Sequence, residues 1–349
     1  FRGCIRGCRF CQAGAVYRPV RERSADTLMR LAKELIKNTG YEEISLTSLS
    51  SSDYTMLGDL FNSLIGVTQP QNINISLPSL RIDNFSLDLM KKMQAVRKSG
   101  LTFAPEAGTQ RLRDVINKNI TEQDITNAVK KAFEGGYSSV KLYFMLGLPT
   151  ETNEDVSGIA ALAELVAGVY YSVPKEQRGK GLLITLSTSN FVPKPHTPFQ
   201  WEPQDSIESL NAKQRLLQGE TKRKYIKYNW HDANLSYLEG VFSRGDRRLA
   251  QVLIAACEKG CKFDSWNNFF NFGKWMQAFE ECGVSPDFYT ARRRSYDEIL
   301  PWQHISAGIS KTFLINENEK AKKAQTTPNC REKCSGCGAA VFGDGVCIV

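Results

Sequence analysis

The sequence has no apolar run long enough to cross a membrane. Its longest, Ile159–Val173, is interrupted by Glu164 and falls short of the roughly 20 residues that a spanning helix needs. It reads instead as an amphipathic helix. Whole-domain repeats and low-complexity tracts are absent too, which excludes a repeat array. There is no initiator methionine: the chain opens at Phe1 with a cysteine three residues on, so it is expected to be a fragment from which a signal peptide cannot be judged. Missing as well is the cysteine pattern of a small secreted domain. Ten cysteines fall at 4, 8, 11, 257, 261, 282, 330, 334, 337 and 347, with two tight groups in a long chain. That spacing excludes a disulfide framework and points to metal binding in a reducing cytoplasm.

What is present suits a large globular protein. The 349 residues are 42% hydrophobic and 23% charged, enough for one large domain plus extras. A formal net charge of +8 permits a polyanionic partner such as RNA, although a solvated basic surface gives the same value.

Residues 40 to 190 alternate between two periodicities. Expected strands are Glu43–Thr47, Asn72–Leu77, Leu101–Phe103, Ser139–Leu146 and Leu182–Thr188. Their starts lie roughly 30 to 40 residues apart, the length of a strand, a crossover helix and two turns. In Ser24–Asn38 the apolar residues Leu28, Leu31, Ala32, Leu35 and Ile36 follow a helical stripe that stops at Gly40. Ser86–Lys98 and Thr121–Glu134 repeat it. Such β-α units imply a parallel sheet, open or closed into a barrel. Beyond a four-proline loop from Asn190 to Pro203, residues 204 to 300 read as mainly helical. Asp205–Tyr228, Arg247–Lys259 and Trp266–Cys282 are the expected helices. Trp266, Phe269, Phe270, Trp275 and Phe279 are expected to form an aromatic core there. Asn316–Ala324 is read as a lysine-rich helix ahead of a glycine- and cysteine-rich tail.

The opening FRGCIRGCRFCQAG places Cys4, Cys8 and Cys11 within eight residues. Three thiolates can cap one face of a cubane, leaving one iron without a protein ligand and open to a substrate. Structural zinc, which usually takes paired cysteines and a full set of four ligands, is the alternative reading. The pattern C-x-x-x-C-x-aromatic-C, with Phe10 before the last cysteine, resembles the signature of the radical S-adenosylmethionine superfamily. The segments SLSSSDY, APEAGTQRLRDVINKN, FMLGLPTET, NFVPKPHTPFQW, RGDRRL, FDSW, LPWQHI and TTPNCREKCSGCGA are similar to a cobalamin-associated bacterial branch of it.

That resemblance implies an α/β fold, a partial (β/α)6 TIM-type barrel over 1–203 whose first strand would precede Phe1. A mainly helical extension over 204–315 and a Cys-rich tail over 316–349 would follow. It implies a 4Fe–4S cluster on Cys4, Cys8 and Cys11, with S-adenosylmethionine on the open iron. It further implies a reductant such as flavodoxin or ferredoxin. Cobalamin would act only through a missing upstream domain, since no D-x-H-x-x-G motif occurs and the only histidines are His196, His231 and His304.

Cofactor contacts are expected where strands end. Phe10 is counted among them. Ser52 and Asp53 stand where the family often holds the ammonium group, although a helix N-cap explains them equally. Glu106 would bond ribose or ammonium, and Arg113 and Lys118 would neutralise the carboxylate, unless they are solvated helix charges. Gly147 would let backbone approach adenine, or simply form a turn. His196, in the stiff loop Pro193–Pro198, is a proton donor or plain surface. In the tail, Cys330, Cys334 and Cys337 repeat the first spacing and Cys347 offers a fourth thiolate, for a second Fe–S cluster or zinc. Cys257, Cys261 and Cys282 read as buried small hydrophobes. Radical chemistry on an unidentified substrate follows, with RNA methylation or methylthiolation among the outcomes. A zinc-stabilised nucleic-acid-binding protein without catalysis is the rival from another class.

Overall fold

The computed structural model describes residues 1–76, 82, 101–342 and 347. Eighteen segments carry the argument below. In chain order they are α1 (Gln12–Val16), α2 (Ala25–Thr39), β1 (Glu43–Ser45), α3 (Leu57–Thr68), β2 (Asn74–Ser76), β3 (Leu101–Glu106), α4 (Gln110–Val115), α5 (Glu122–Glu134) and β4 (Ser139–Leu146). There follow α6 (Asn153–Ser172), β5 (Leu183–Asn190), α7 (Ile207–Glu220), β6 (Ile226–Trp230), α8 (Ala233–Arg244), α9 (Leu249–Glu258), α10 (Phe272–Glu281), α11 (Asp287–Thr290) and α12 (Lys311–Lys322). The helical pattern read over 86–98, and the last residue of the strand read over 72–77, lie outside the described residues.

Local chemistry explains where these elements begin and end. Ser24 Oγ accepts from Thr27 N at the start of α2, and Gly40 closes that helix at φ +67°. Thr121 with Asp124, and Thr152 with Asp155, form reciprocal capping boxes for α5 and α6. Among the described residues every strand pairing between named strands is parallel. β1 pairs with β2, and β3, β4, β5 and β6 form one sheet in chain order. Parallel neighbours require crossovers, and α5, α6 and α7 supply them. Val140, Leu142, Phe144 and Leu146 of β4 share the main core with Ile125, Val129 and Phe133 of α5 and Val156, Ile159 and Val166 of α6. Among the described residues no helix is long and apolar enough to cross a membrane.

Three expectations are corrected. The helix read over Asp205–Tyr228 stops at Glu220, and Ile226–Trp230 is a strand paired with β5. Its alternating Ile226, Tyr228 and Trp230 carry a period of two that the longer helical stripe before them conceals. The sheet therefore continues past residue 203. Secondly, Trp266 and Phe269 are 67% and 59% exposed, because they fall in turns ahead of α10; Trp275 and Phe279, on that helix, are buried. Thirdly, Cys261 is buried, but Cys282 is half-buried and Cys257 exposed.

Candidate active site

The three-cysteine loop is pinned before any ligand is considered. Asn117 Nδ2 donates to Gly7 O at 3.0 Å, and Arg9 N donates to Ile116 O at 3.0 Å, so the end of α4 holds the loop from beneath. Cys11 caps α1: its Sγ accepts from Gly14 N at 3.3 Å. Cys4 Sγ accepts from Arg6 N at 3.4 Å. Burial pushes the Cys4 thiol up to about 11; the Arg6 N–H opposes this, while Cys8, Cys11 and Asp53 add to it. Cys11 is raised by burial and by Cys8, against the Gly14 N–H and Lys118. All three cysteines are half-buried, and burial favours the neutral thiol at Cys4 and Cys11. Metal binding displaces such protons. Among the described residues no three His, Cys, Asp or Glu side chains stand at the spacing that grips a single ion. A cluster takes one thiolate per iron and is tuned by hydrogen bonds to sulfur, and this loop provides both the separate thiols and the N–H donors. The residues present fit the group.

Two ion pairs flank the loop. Arg6, between the first two cysteines, donates Nη2 to Asp53 Oδ1 at 2.6 Å and Nε to Oδ2 at 3.0 Å. Ser50 Oγ donates to the same carboxylate at 2.6 Å. Asp53 is buried in this network beyond β1, so it is a partner of the loop arginine rather than a free carboxylate. Ser52 and Asp53 lie inside one turn of 3-10 helix, Ser51–Asp53, whose N-cap is Ser50 and makes no side-chain capping bond, so the N-cap reading of Ser52 and Asp53 is corrected. The second pair is Glu106 with Lys118, Oε1 to Nζ at 3.0 Å, and both act electrostatically on Cys11. Glu106 ends β3 at φ +69°, where the ladder to β4 shifts register. An L-residue seldom occupies that region, and such strain gathers at functional sites.

The remaining expected contacts divide. Phe10 is partly buried and packs on the apolar cluster to which Met145, at the end of β4, and Phe191, just past β5, belong. Arg113 is fully buried, which corrects the solvated-charge reading. Its Nη1 donates to Ala107 O and Gly108 O at 3.1 Å, and Nε and Nη2 reach Gln110 Oε1, so it braces the turn after β3. Gly147, at φ +82°, faces Asp205 and Leu210, and its N donates to Glu151 Oε1 at 2.8 Å; the turn accounts for it. His196 stands at φ +59°, and burial lowers its pKa. Its loop joins the cysteine loop through Gln12 Nε2, which donates to Pro195 O at 3.1 Å.

Sequence reasoning missed Arg6, Arg9, Asn117 and Arg18. Arg6 and Arg9 sit inside the cysteine motif, which was the only signal available. Arg9 is 0% exposed and pairs with Glu317 of α12, 3% exposed, at 3.0 Å. It also donates to Val115 O at 2.9 Å and Gln325 O at 2.6 Å. The tail is thereby docked on the loop. Cys330 N donates to Ile5 O at 3.0 Å, and in the tail Cys334, Cys337 and Cys347 all act electrostatically on Cys330.

A family model described as Radical SAM superfamily matches residues 1–163. An uncharacterised protein of Methanocaldococcus jannaschii is 35% identical over 283 residues, which cover 81% of this chain and 59% of that one. The tRNA-2-methylthio-N(6)-dimethylallyladenosine synthase of Neorickettsia sennetsu is 24% identical over 65% of this chain and 47% of its own length. A probable threonylcarbamoyladenosine tRNA methylthiotransferase of Archaeoglobus fulgidus is 26% identical over 44% of this chain and 38% of its own length. The chain spans about half the length of the curated relatives it matches.

Proposed function

Residues 1–163 belong to the radical SAM superfamily, and we propose on that premise that the chain is the catalytic part of a cytoplasmic iron–sulfur enzyme that cleaves S-adenosylmethionine reductively. In this reading the parallel sheets are part of an incomplete (β/α)6 barrel, and the finer placement is the cobalamin-associated branch. Cys4, Cys8 and Cys11 would hold the 4Fe–4S cluster. Such a cluster would supply the single electron, taken from a reductant of the flavodoxin or ferredoxin kind, that reductive cleavage of the carbon–sulfur bond of S-adenosylmethionine requires.

The chain's own residues would do the positioning. The observation that carries the reading is the convergence of three thiols with the Glu106–Lys118 pair at the end of β3. A carboxylate and an ammonium side by side offer complementary partners to the amino and carboxylate groups of an amino acid. The apolar wall of Phe10, Met145 and Phe191 would receive the adenine and exclude water.

The test is anaerobic reconstitution, reduction, and measurement of 5′-deoxyadenosine in wild type and Cys8→Ala. Product in wild type and its loss in the variant are expected; a wild type that binds only zinc would overturn the reading in favour of a nucleic-acid-binding protein. For the substrate we infer an RNA, methylthiolated or methylated. The names of two relatives and the net charge of +8 support it. Mass spectrometry of nucleosides from tRNA incubated with the reduced enzyme checks it, and unmodified tRNA would reject it.

A further inference from the structure

We propose that Cys330, Cys334, Cys337 and Cys347 ligate a second, four-iron cluster, seated against the three-cysteine loop with Arg18 as the cation between the two thiolate sets. The identity of the first cluster rests on the function proposed above; the second site does not.

Four thiolates would complete a closed site, with the same three-cysteine spacing as the opening loop. The backbone that carries them is built rather than loose. Thr327 N donates to Asn117 Oδ1 at 2.8 Å, and Asn119 Nδ2 donates to Thr327 O at 3.1 Å. Cys330 N donates to Ile5 O, and Ser310 N donates to Cys337 O at 2.9 Å. Asn117 therefore holds both cysteine segments at once, Gly7 through its amide nitrogen and Thr327 through its amide oxygen.

Arg18 is the independent observation. The residue is 9% exposed; its Nε donates to Gly14 O at 2.9 Å and its Nη2 to Arg6 O at 3.0 Å, which fixes the plane of the guanidinium. Nη1 makes no hydrogen bond of regular geometry. The groups that face this guanidinium are Cys330 and Cys337 of the tail and Cys4 of the loop. A buried donor without an acceptor is costly, and a buried cation more so. Cys337 is already the guanidinium's side-chain partner in the tail, and the sulfurs of a bound cluster would complete that pairing. Zinc takes four sulfurs drawn onto one ion, and the tail cysteines, like the other described residues, do not stand at that spacing; the repeated spacing favours the group proposed for the first loop.

The experiment is iron, sulfide and zinc content of the anaerobically reconstituted full chain, with Cys8→Ala and, in the tail, Cys334→Ala and Cys334→Ser. Cys334 is exposed, so loss of metal with an unchanged far-UV spectrum reports ligation rather than misfolding. About eight irons are expected in wild type, and about four in each variant. Four irons in wild type, lost with Cys8 and kept without Cys334, would overturn the second site and leave the functional reading standing. The converse pattern would keep the second site and overturn that reading. About one zinc lost with Cys334 would overturn the iron assignment. Arg18→Gln removes the positive charge beside the tail cluster and is expected to shift that cluster's reduction potential negative; an unchanged potential would remove Arg18 from the proposal.

Discussion

Glu106 holds a left-handed backbone that costs an L-residue of order 1–3 kcal/mol, and its carboxylate is turned onto Lys118 beside Cys11. Glu106→Gln keeps the shape and removes the charge. S-adenosylmethionine is expected to bind at least about tenfold more weakly, as for loss of one charge-assisted hydrogen bond, while iron content is unchanged. Calorimetry on the reconstituted protein reads this, and an unaltered affinity would take Glu106 out of the site. Asp155 carries a pH dependence. Burial pushes its carboxyl up, but hydrogen bonds from Thr109, the Thr152 backbone and Arg111 outweigh burial and hold it below its usual value. The unfolded chain therefore binds more protons in acid. Its stabilisation is complete above about pH 5 and is lost as pH falls through the lowered value. Thermal melts from pH 7 to 3 should show this acid limb, flattened in Asp155→Asn. Asp155 was not singled out in the sequence, since neither Thr109 nor Arg111 is its neighbour in the chain.

Strand and helix packing sets its own test around the turn after β3. A Cβ added at Gly108 would lie 2.4 Å from Ile159 N and 2.6 Å from Asp155 O, so the glycine lets α6 meet that turn backbone to backbone. Gly108→Ala is expected to cost about 3 kcal/mol, the upper range for overpacking, because backbone cannot yield as a side chain can. Gly66, within α3, has nothing within 4 Å of the same added atom. Gly66→Ala should be neutral or stabilise by up to about 1 kcal/mol. Urea denaturation of both variants checks the contrast, and equal effects would refute the close approach as its cause. Elements were legible where one period ran uninterrupted: Ser139–Leu146 is the strand read from its alternation, and α2 and α5 begin one residue after their cap residues. β6 was not, because Lys222–Lys224 reads as easily as a helix surface as it does as a turn.

On the scale of the whole molecule the chain folds back on its own beginning. The Arg9–Glu317 pair joins the cysteine loop to α12 across 308 positions, with both side chains almost wholly out of solvent. Arg9→Met leaves Glu317 buried with Lys320 as its remaining cationic partner and is expected to cost about 3–5 kcal/mol. Arg9→Met with Glu317→Leu should recover much of this, since an apolar pair often replaces a buried ion pair without loss. Chemical denaturation of the two variants decides it: a double variant as unstable as the single one would show that packing, not charge, holds the tail. The sequence by itself determined the three-thiolate loop, the parallel β-α order and the repeated spacing of the tail, because each is written in neighbours a few residues apart. Only the tertiary structure decided that Arg6 takes Asp53, that Arg113 braces a turn, and that Arg18 lies between two groups of cysteines. Those pairings join residues that the chain brings together by burying its core, and no local period records which buried charge will meet which.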